Sequence, residues 1–232
     1  MAKHKRDGTD GYYAKRPSMS AVAKYKRRKK RYTRRSGGFL PRAMREVGRY
    51  DFGDDITLPT DAGVEYQSWL INTISQGTAE SDRLGKQVSL KNWRATFMMQ
   101  TESTATSPCT VRVVVVYDTQ ANGAVVADAT LWESPTKQYL SQPAAEYTQR
   151  YQILYDRKLT FGGADTGSTG TSQRIWDINV PLKGRRTCWS GITGNISDLA
   201  TGSLFLLMYS ESTSATNQVR GAFTSRLYYY DQ

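Results

Sequence analysis

The sequence predicts an all-β body behind a strongly basic N-terminal arm, and three observations lead there. The chain of 232 residues carries 32 Lys and Arg against 21 Asp and Glu. The excess is unevenly placed: residues 1–45 hold 16 of the bases and only Asp7 and Asp10 as acids, so the arm carries +14 and the remainder −3. From residue 64 onward, short runs rich in β-branched and aromatic residues are separated by Gly, Ser, Thr, Asn and Asp clusters, the texture of strands and turns. No internal repeat and no long amphipathic helix interrupts it.

In the arm, only Val22, Phe39 and Leu40 come from the Leu/Ile/Val/Phe set. Such a segment cannot offset the entropy of ordering itself, so it is expected to be disordered when free. Its densest stretch is KYKRRKKR at 24–31, followed by Arg34 and Arg35 and a flexible Ser36-Gly37-Gly38 joint. FLPRAMREVGRY (39–50) reads as a transition with one helical turn after Pro41. The body, 46–232, is long enough to bury a core as one domain.

A first strand reads at 64–74. In 87–98, Val88 and Leu90 are in one phase and Trp93, Ala95 and Phe97 in the other, so a bulge is expected near Asn92. VRVVVVY (111–117) is apolar on both faces, as in a strand buried within a packed sheet. Residues 123–147 form a long excursion with a short helix around Ala127–Leu131. In 151–161, Tyr151, Ile153, Tyr155, Leu159 and Phe161 share one face by the period of two. In 174–182, Trp176, Ile178, Val180 and Leu182 repeat the pattern, and Pro181 marks a strand end or an edge. A weaker strand at 187–192 and clear ones at 203–210 and 219–230 bring the count to about eight. Eight strands at these spacings allow a jelly roll, an immunoglobulin-like sandwich or a lipocalin-type barrel.

Other function classes are disfavoured by what is missing. No run approaches 18 apolar residues, so no membrane span is expected, and MAKHKRDG leads into no apolar stretch of a secretory signal. Cys109 and Cys188 fit no disulfide framework or C-x-x-C pattern and read as buried free thiols, and the sequon at Asn195 is treated as chance. His4 is the sole histidine and lies in the arm, which excludes a His-based triad or zinc site in the body. Gly85-Lys86 lacks the flanking residues of a phosphate loop. No enzyme, cofactor or metal is therefore expected, although scattered carboxylates leave a hydrolase formally open.

Four stretches choose among the folds. QGTAESDRLGKQVSLKNW (76–93) resembles the Q-G-T…R-x-G-K/R-x-(I/V)-x-L-K pattern near the start of capsid proteins from small circular single-stranded DNA viruses that encode a replication initiator (CRESS-DNA viruses). VRVVVVYDTQANGA (111–124) is similar to the "vvyD.q.nG" segment of that family, QILYDRKLTF (152–161) to its "vlyDk…l" strand, and RLYYYDQ (226–232) to its aromatic-Asp terminus. They fall in the family's order behind the expected basic arm. The resemblance implies a single eight-stranded jelly-roll sandwich that self-assembles into an icosahedral shell of about 60 subunits, with the arm turned inward onto a single-stranded genome. The same fold occurs in the coats of small satellite RNA viruses. The residues alone leave open a cellular nucleic-acid-binding β-sandwich with a basic tail.

Within the arm, Lys15, Arg16, Lys24, Lys26, Arg27, Arg28, Lys29, Lys30, Arg31, Arg34 and Arg35 are expected to contact phosphates, weakening steeply as salt rises. Lys3, Lys5 and Arg6 add to that charge, and Tyr25 and Tyr32, with Tyr12 and Tyr13, offer rings for unpaired bases. Lys24, Lys26, Arg27, Arg28, Lys29, Lys30 and Arg31 also read as a nuclear-import signal, which implies an import receptor as a second partner. Arg83-Leu84-Gly85-Lys86 reads as a turn with solvated charges, or else as a nucleic-acid contact. Asp51, Asp54, Asp55 and Asp61 match no calcium loop and read as a solvated loop. Trp132 and Tyr228-Tyr229-Tyr230 read as core or subunit-interface residues rather than a ligand platform.

Overall fold

The computed structural model describes residues 47–58, 66–102, 105, 107–134, 137–162, 172–212 and 217–231. The arm, with every phosphate-contact and import residue named in it, lies outside these, as do Asp61 and the expected turn after Pro41. Among the described residues nine strands are formed: β1 (Val47–Thr57), β2 (Tyr66–Leu70), β3 (Gln87–Thr101), β4 (Cys109–Asp118), β5 (Tyr151–Phe161), β6 (Gln173–Trp189), β7 (Leu199–Thr201), β8 (Ser203–Ser210) and β9 (Val219–Asp231).

One sheet has the order β1-β9-β3-β6-β7 and the other β2-β8-β4-β5. Leaving aside the three-residue β7, the eight long strands pair antiparallel as β4 with β5, β3 with β6, β2 with β8 and β1 with β9. The chain thus behaves as one long hairpin, closed at β4–β5 and rolled so that successive pairs alternate between the sheets. That is the jelly roll, an eight-stranded double Greek key, and it excludes the immunoglobulin-like and lipocalin-type orders.

The core fills the space between the sheets. Trp93, Phe97, Phe223 and Leu227 from the larger sheet meet Val113, Val115, Leu206 and Met208 from the smaller. Phe97 stacks on Phe223 and Trp176, with ring centroids 5.4 and 5.1 Å apart. A second cluster lies on the outer face of the smaller sheet, where Val114, Val116, Phe205, Leu207 and Tyr209 are covered by Val126, Leu131 and Trp132 of the 119–150 excursion. This explains why VRVVVVY and SLFLLMYS carry apolar residues on both faces: each face has its own cover. The expected short helix is present as one turn, Asp128–Leu131.

Several elements differ from the sequence expectation. Residues 47–50 are not part of a transition but begin β1, which the sequence reading lacked. Asp51, Asp54 and Asp55 are accordingly strand residues and not a solvated loop. The expected strands at 174–182 and 187–192 are one strand, β6. Lys183 and Gly184 have φ of 52° and 77° and form a bulge opposite the bulge of β3, where register shifts between Leu90 and Asn92 as expected. Pro181 sits on an edge, since β7 pairs only with the far end of β6 at Cys188 and Trp189. In β5 a register shift at Leu154 turns the strand over. Tyr151 and Ile153 therefore join the outer cluster while Tyr155, Leu159 and Phe161 join the main core, rather than all five sharing one face.

Candidate functional site

Three aspartates in the stretches singled out by sequence turn out to be fasteners. Asp118, fully buried, holds Arg150 by two hydrogen bonds of 3.0 Å and accepts the Gln120 N–H at 2.9 Å, which starts the turn after β4. Asp156 holds Arg112 at 2.8 and 2.6 Å. Asp231 accepts the backbone N–H groups of Leu84 and Gly85.

The 83–86 turn is tighter than its sequence suggests. Arg83 is not solvated: it is wholly buried and donates to the carbonyls of Ile74, Gly85 and Gly191 at 3.1, 2.6 and 2.7 Å. Its guanidinium lies 4.5 Å from the Trp189 ring centroid, and burial lowers its pKa. Each of its three nitrogens donates to a backbone carbonyl and the side chain is buried, so Arg83 is a structural cation rather than a phosphate ligand. Among the described residues no group of His, Cys, Asp and Glu is arranged to hold a metal. Cys109 and Cys188 are free thiols; the first is buried and the second half-buried.

The outer face of the larger sheet carries a different arrangement. Alternation along β9 sends Val219, Phe223, Leu227 and Tyr229 inward and Arg220, Thr224, Arg226, Tyr228 and Tyr230 outward. On β3 the bulge at Lys91 lets both Lys91 and Asn92 face outward, ahead of Arg94 and Thr96. Successive rows across β1, β9 and β3 then read Val47, Tyr230, Ser89; Arg49, Tyr228, Asn92; Asp51, Arg226, Arg94; Gly53, Thr224, Thr96; and Asp55, Ala222, Met98. One end of the face is cationic and aromatic. The other mixes Asp55, Asp177 and Arg220 with the apolar Met98 and Ile175, 43% and 67% exposed.

Across that first end the cations sit over rings, with Lys91 Nζ 5.5 Å from the Tyr230 centroid and the Arg94 guanidinium 5.9 Å from that of Tyr228. Arg226 is paired with Asp51 at 2.5 and 2.7 Å, which lowers the Asp51 pKa and raises that of the arginine. Arg94 stands directly opposite Arg226 and has no ion pair among the described residues. Like charges directly opposed in a sheet are destabilising. A depression of about 830 Å³ runs over this region, lined among others by Asp51, Arg94, Asp177, Asn179, Arg226 and Tyr228. Chemically it offers flat ring faces beside an uncompensated guanidinium. Sequence reasoning grouped Tyr228-Tyr229-Tyr230 as one run and missed this; only Tyr229 is core. The usable signal was the period of two through 219–231 combined with the bulge at Lys91.

No protein-family profile matches the chain, and no curated protein is significantly similar to it. Solved structures similar to it include Desmodium yellow mottle tymovirus, at 14% identity over all of this chain and 96% of the other with a TM-score of 0.37. Turnip yellow mosaic virus matches at 15% identity over 81% of this chain and 94% of the other with a TM-score of 0.35. Tomato aspermy virus matches at 12% identity over 90% and 95%, with a TM-score of 0.31. The likeness at these scores is slight, and the fold assignment rests on the strand order itself.

Proposed function

We propose that the chain is a viral capsid subunit that self-assembles into a small icosahedral shell and packages a single-stranded circular DNA genome through its basic N-terminal arm. The observation that carries this reading is the pairing of a complete eight-stranded jelly roll with a contiguous arm of +14. The jelly roll is a fold of capsid and lectin domains, and a polycation preceding it supplies what a bare shell lacks, a counter-charge for the enclosed phosphates. The resemblance of residues 76–93, 111–124, 152–161 and 226–232 to the CRESS-DNA virus capsids supports the DNA assignment.

The arithmetic is coherent. About 60 arms of this charge would neutralise about 840 phosphates at one charge each. Forty-five residues reach at most about 150 Å extended, enough to leave a shell wall and enter its interior. Lys15, Arg16, Lys24, Lys26, Arg27, Arg28, Lys29, Lys30, Arg31, Arg34 and Arg35 contact phosphates in this reading, and Tyr25 and Tyr32 stack on unpaired bases. Lys24 and 26–31 serve nuclear import before assembly, when the arm is accessible to a receptor.

Deleting residues 1–38 tests the role of the arm. The expected product is a shell-forming body whose particles contain little nucleic acid. Truncated particles with undiminished nucleic-acid content would overturn it. Digesting the contents of full-length particles with DNase and with RNase decides the sugar: resistance to DNase with loss to RNase would replace the DNA genome by an RNA one.

A further inference from the structure

We propose that the cationic, tyrosine-bearing end of the larger sheet's outer face is a second nucleic-acid site, one that stacks unpaired bases on Tyr228 and Tyr230 and holds phosphates at Arg94 and Lys91. This rests on the reading of the chain as a nucleic-acid-packaging subunit and extends it from the arm to the folded body.

Three features select the occupant. First, Lys91 and Arg94 are exposed cations without a carboxylate partner among the described residues, and Arg94 faces another arginine. An anion settling between Arg94 and Arg226 would relieve that repulsion. Asp51 compensates Arg226 alone, while Asp177, on the next row, is engaged by the Thr96 hydroxyl at 2.6 Å. Second, Tyr228 and Tyr230 are half-buried, lie on the outer face two residues apart, and are within reach of the cations that flank them. Alternating rings and cations on a sheet face suit a single strand, whose bases stack on aromatics while its backbone tracks the charge, and read no sequence. Third, the face is polar in the directional sense: its cationic end is the end at which β1 begins, since Val47 pairs with Tyr230. The basic arm is covalently continuous with Val47, so a strand held by the last arm residues is presented to this end at high effective concentration.

Photo-crosslinking of the full-length chain to a short oligothymidylate containing 5-iododeoxyuridine, followed by peptide mapping, tests this. Crosslinks at Tyr228 or Tyr230, with or without crosslinks in the arm, are the expected result. Crosslinks confined to residues 1–46 would overturn this site and leave the packaging function standing. Absence of any crosslink would overturn both. In parallel, Lys91→Gln with Arg94→Gln changes two exposed side chains and so spares the fold. The salt dependence of oligothymidylate binding should then lose about 1.4 units of log–log slope. An unchanged slope would contradict the role given to these two cations.

Discussion

Arg112 and Asp156 form a two-pronged ion pair between β4 and β5, with contacts of 2.8 and 2.6 Å and the arginine side chain only 2% exposed. The remaining guanidinium nitrogen donates to the carbonyls of Gln138 and Ser141, both at 2.7 Å, and the group lies 3.8 Å from the Trp132 ring centroid. One side chain thus pins the 119–150 excursion over the outer cluster of the smaller sheet. The fork geometry is what allows three partners to be met at once.

Replacing Arg112 should therefore be costly in a particular way. Arg112→Met leaves two carbonyls and a half-shielded carboxylate unpaired, at a cost of about 3 kcal/mol. Arg112→Lys should recover little of this, because a point charge cannot reproduce the bidentate contact. Urea unfolding gives the stability, and limited proteolysis should show early cleavage within 119–150. A Met variant as stable and as resistant as the wild type would remove the pin from the account.

High pH should unfold the body through two tyrosines. Burial pushes the phenols of Tyr117 and Tyr229 up to about 12 from their ordinary value near 10. Tyr117 donates to the Arg186 carbonyl and Tyr229 to that of Asp82, at 2.8 Å in the latter case. A folded-state pKa above the unfolded one means that their contribution is complete below pH 10 and lost as pH rises through about 12. Phenolate absorbance should show a late fraction that appears together with loss of β circular dichroism. Full titration of all tyrosines near 10 with the fold intact would contradict these assignments.

Assembly, in the proposed reading, draws on exposed apolar side chains. Leu84 and Ile192 are each 66% exposed, and Gln76 links their loops by donating to both carbonyls at 2.9 Å. Leu84→Asp with Ile192→Asp should leave a folded chain with an unchanged melting temperature that fails to close into particles. Normal particle yield from the double variant, read by sedimentation, would place the subunit contacts elsewhere.

Much of the fold was readable, and the failures share a cause. Strand β8 was bounded to the residue, the two-faced burial of β4 was read from its composition, and the bulge of β3 followed from a phase change. Strand β1, VGRYDFGDDIT, was missed because its two glycines and three aspartates resemble a loop. Its glycines are present for the neighbour's sake: a Cβ on Gly48 would lie 2.4 Å from the Tyr229 ring, and one on Gly53 2.8 Å from the Phe223 carbonyl. An edge strand with one solvated face supplies few apolar positions to count. The split of β6 and the turnover in β5 are bulges: in β6 Pro181 and Gly184 read as a strand break, and in β5 the phase changes with no turn residue to mark it. The same limitation hid the cationic face, whose members come from β1, β3 and β9 and meet only through register. The arm was readable from charge alone, and its role stands as a proposal.

The central claim is that this jelly roll closes into a shell. Electron microscopy of the purified full-length chain, with particle mass measured on the same sample, tests it most directly. The account predicts uniform closed particles of about 60 subunits containing nucleic acid. A protein that remains a monomer or small oligomer with nucleic acid bound would contradict it, and would instead mark a nucleic-acid-binding β-sandwich with a basic tail.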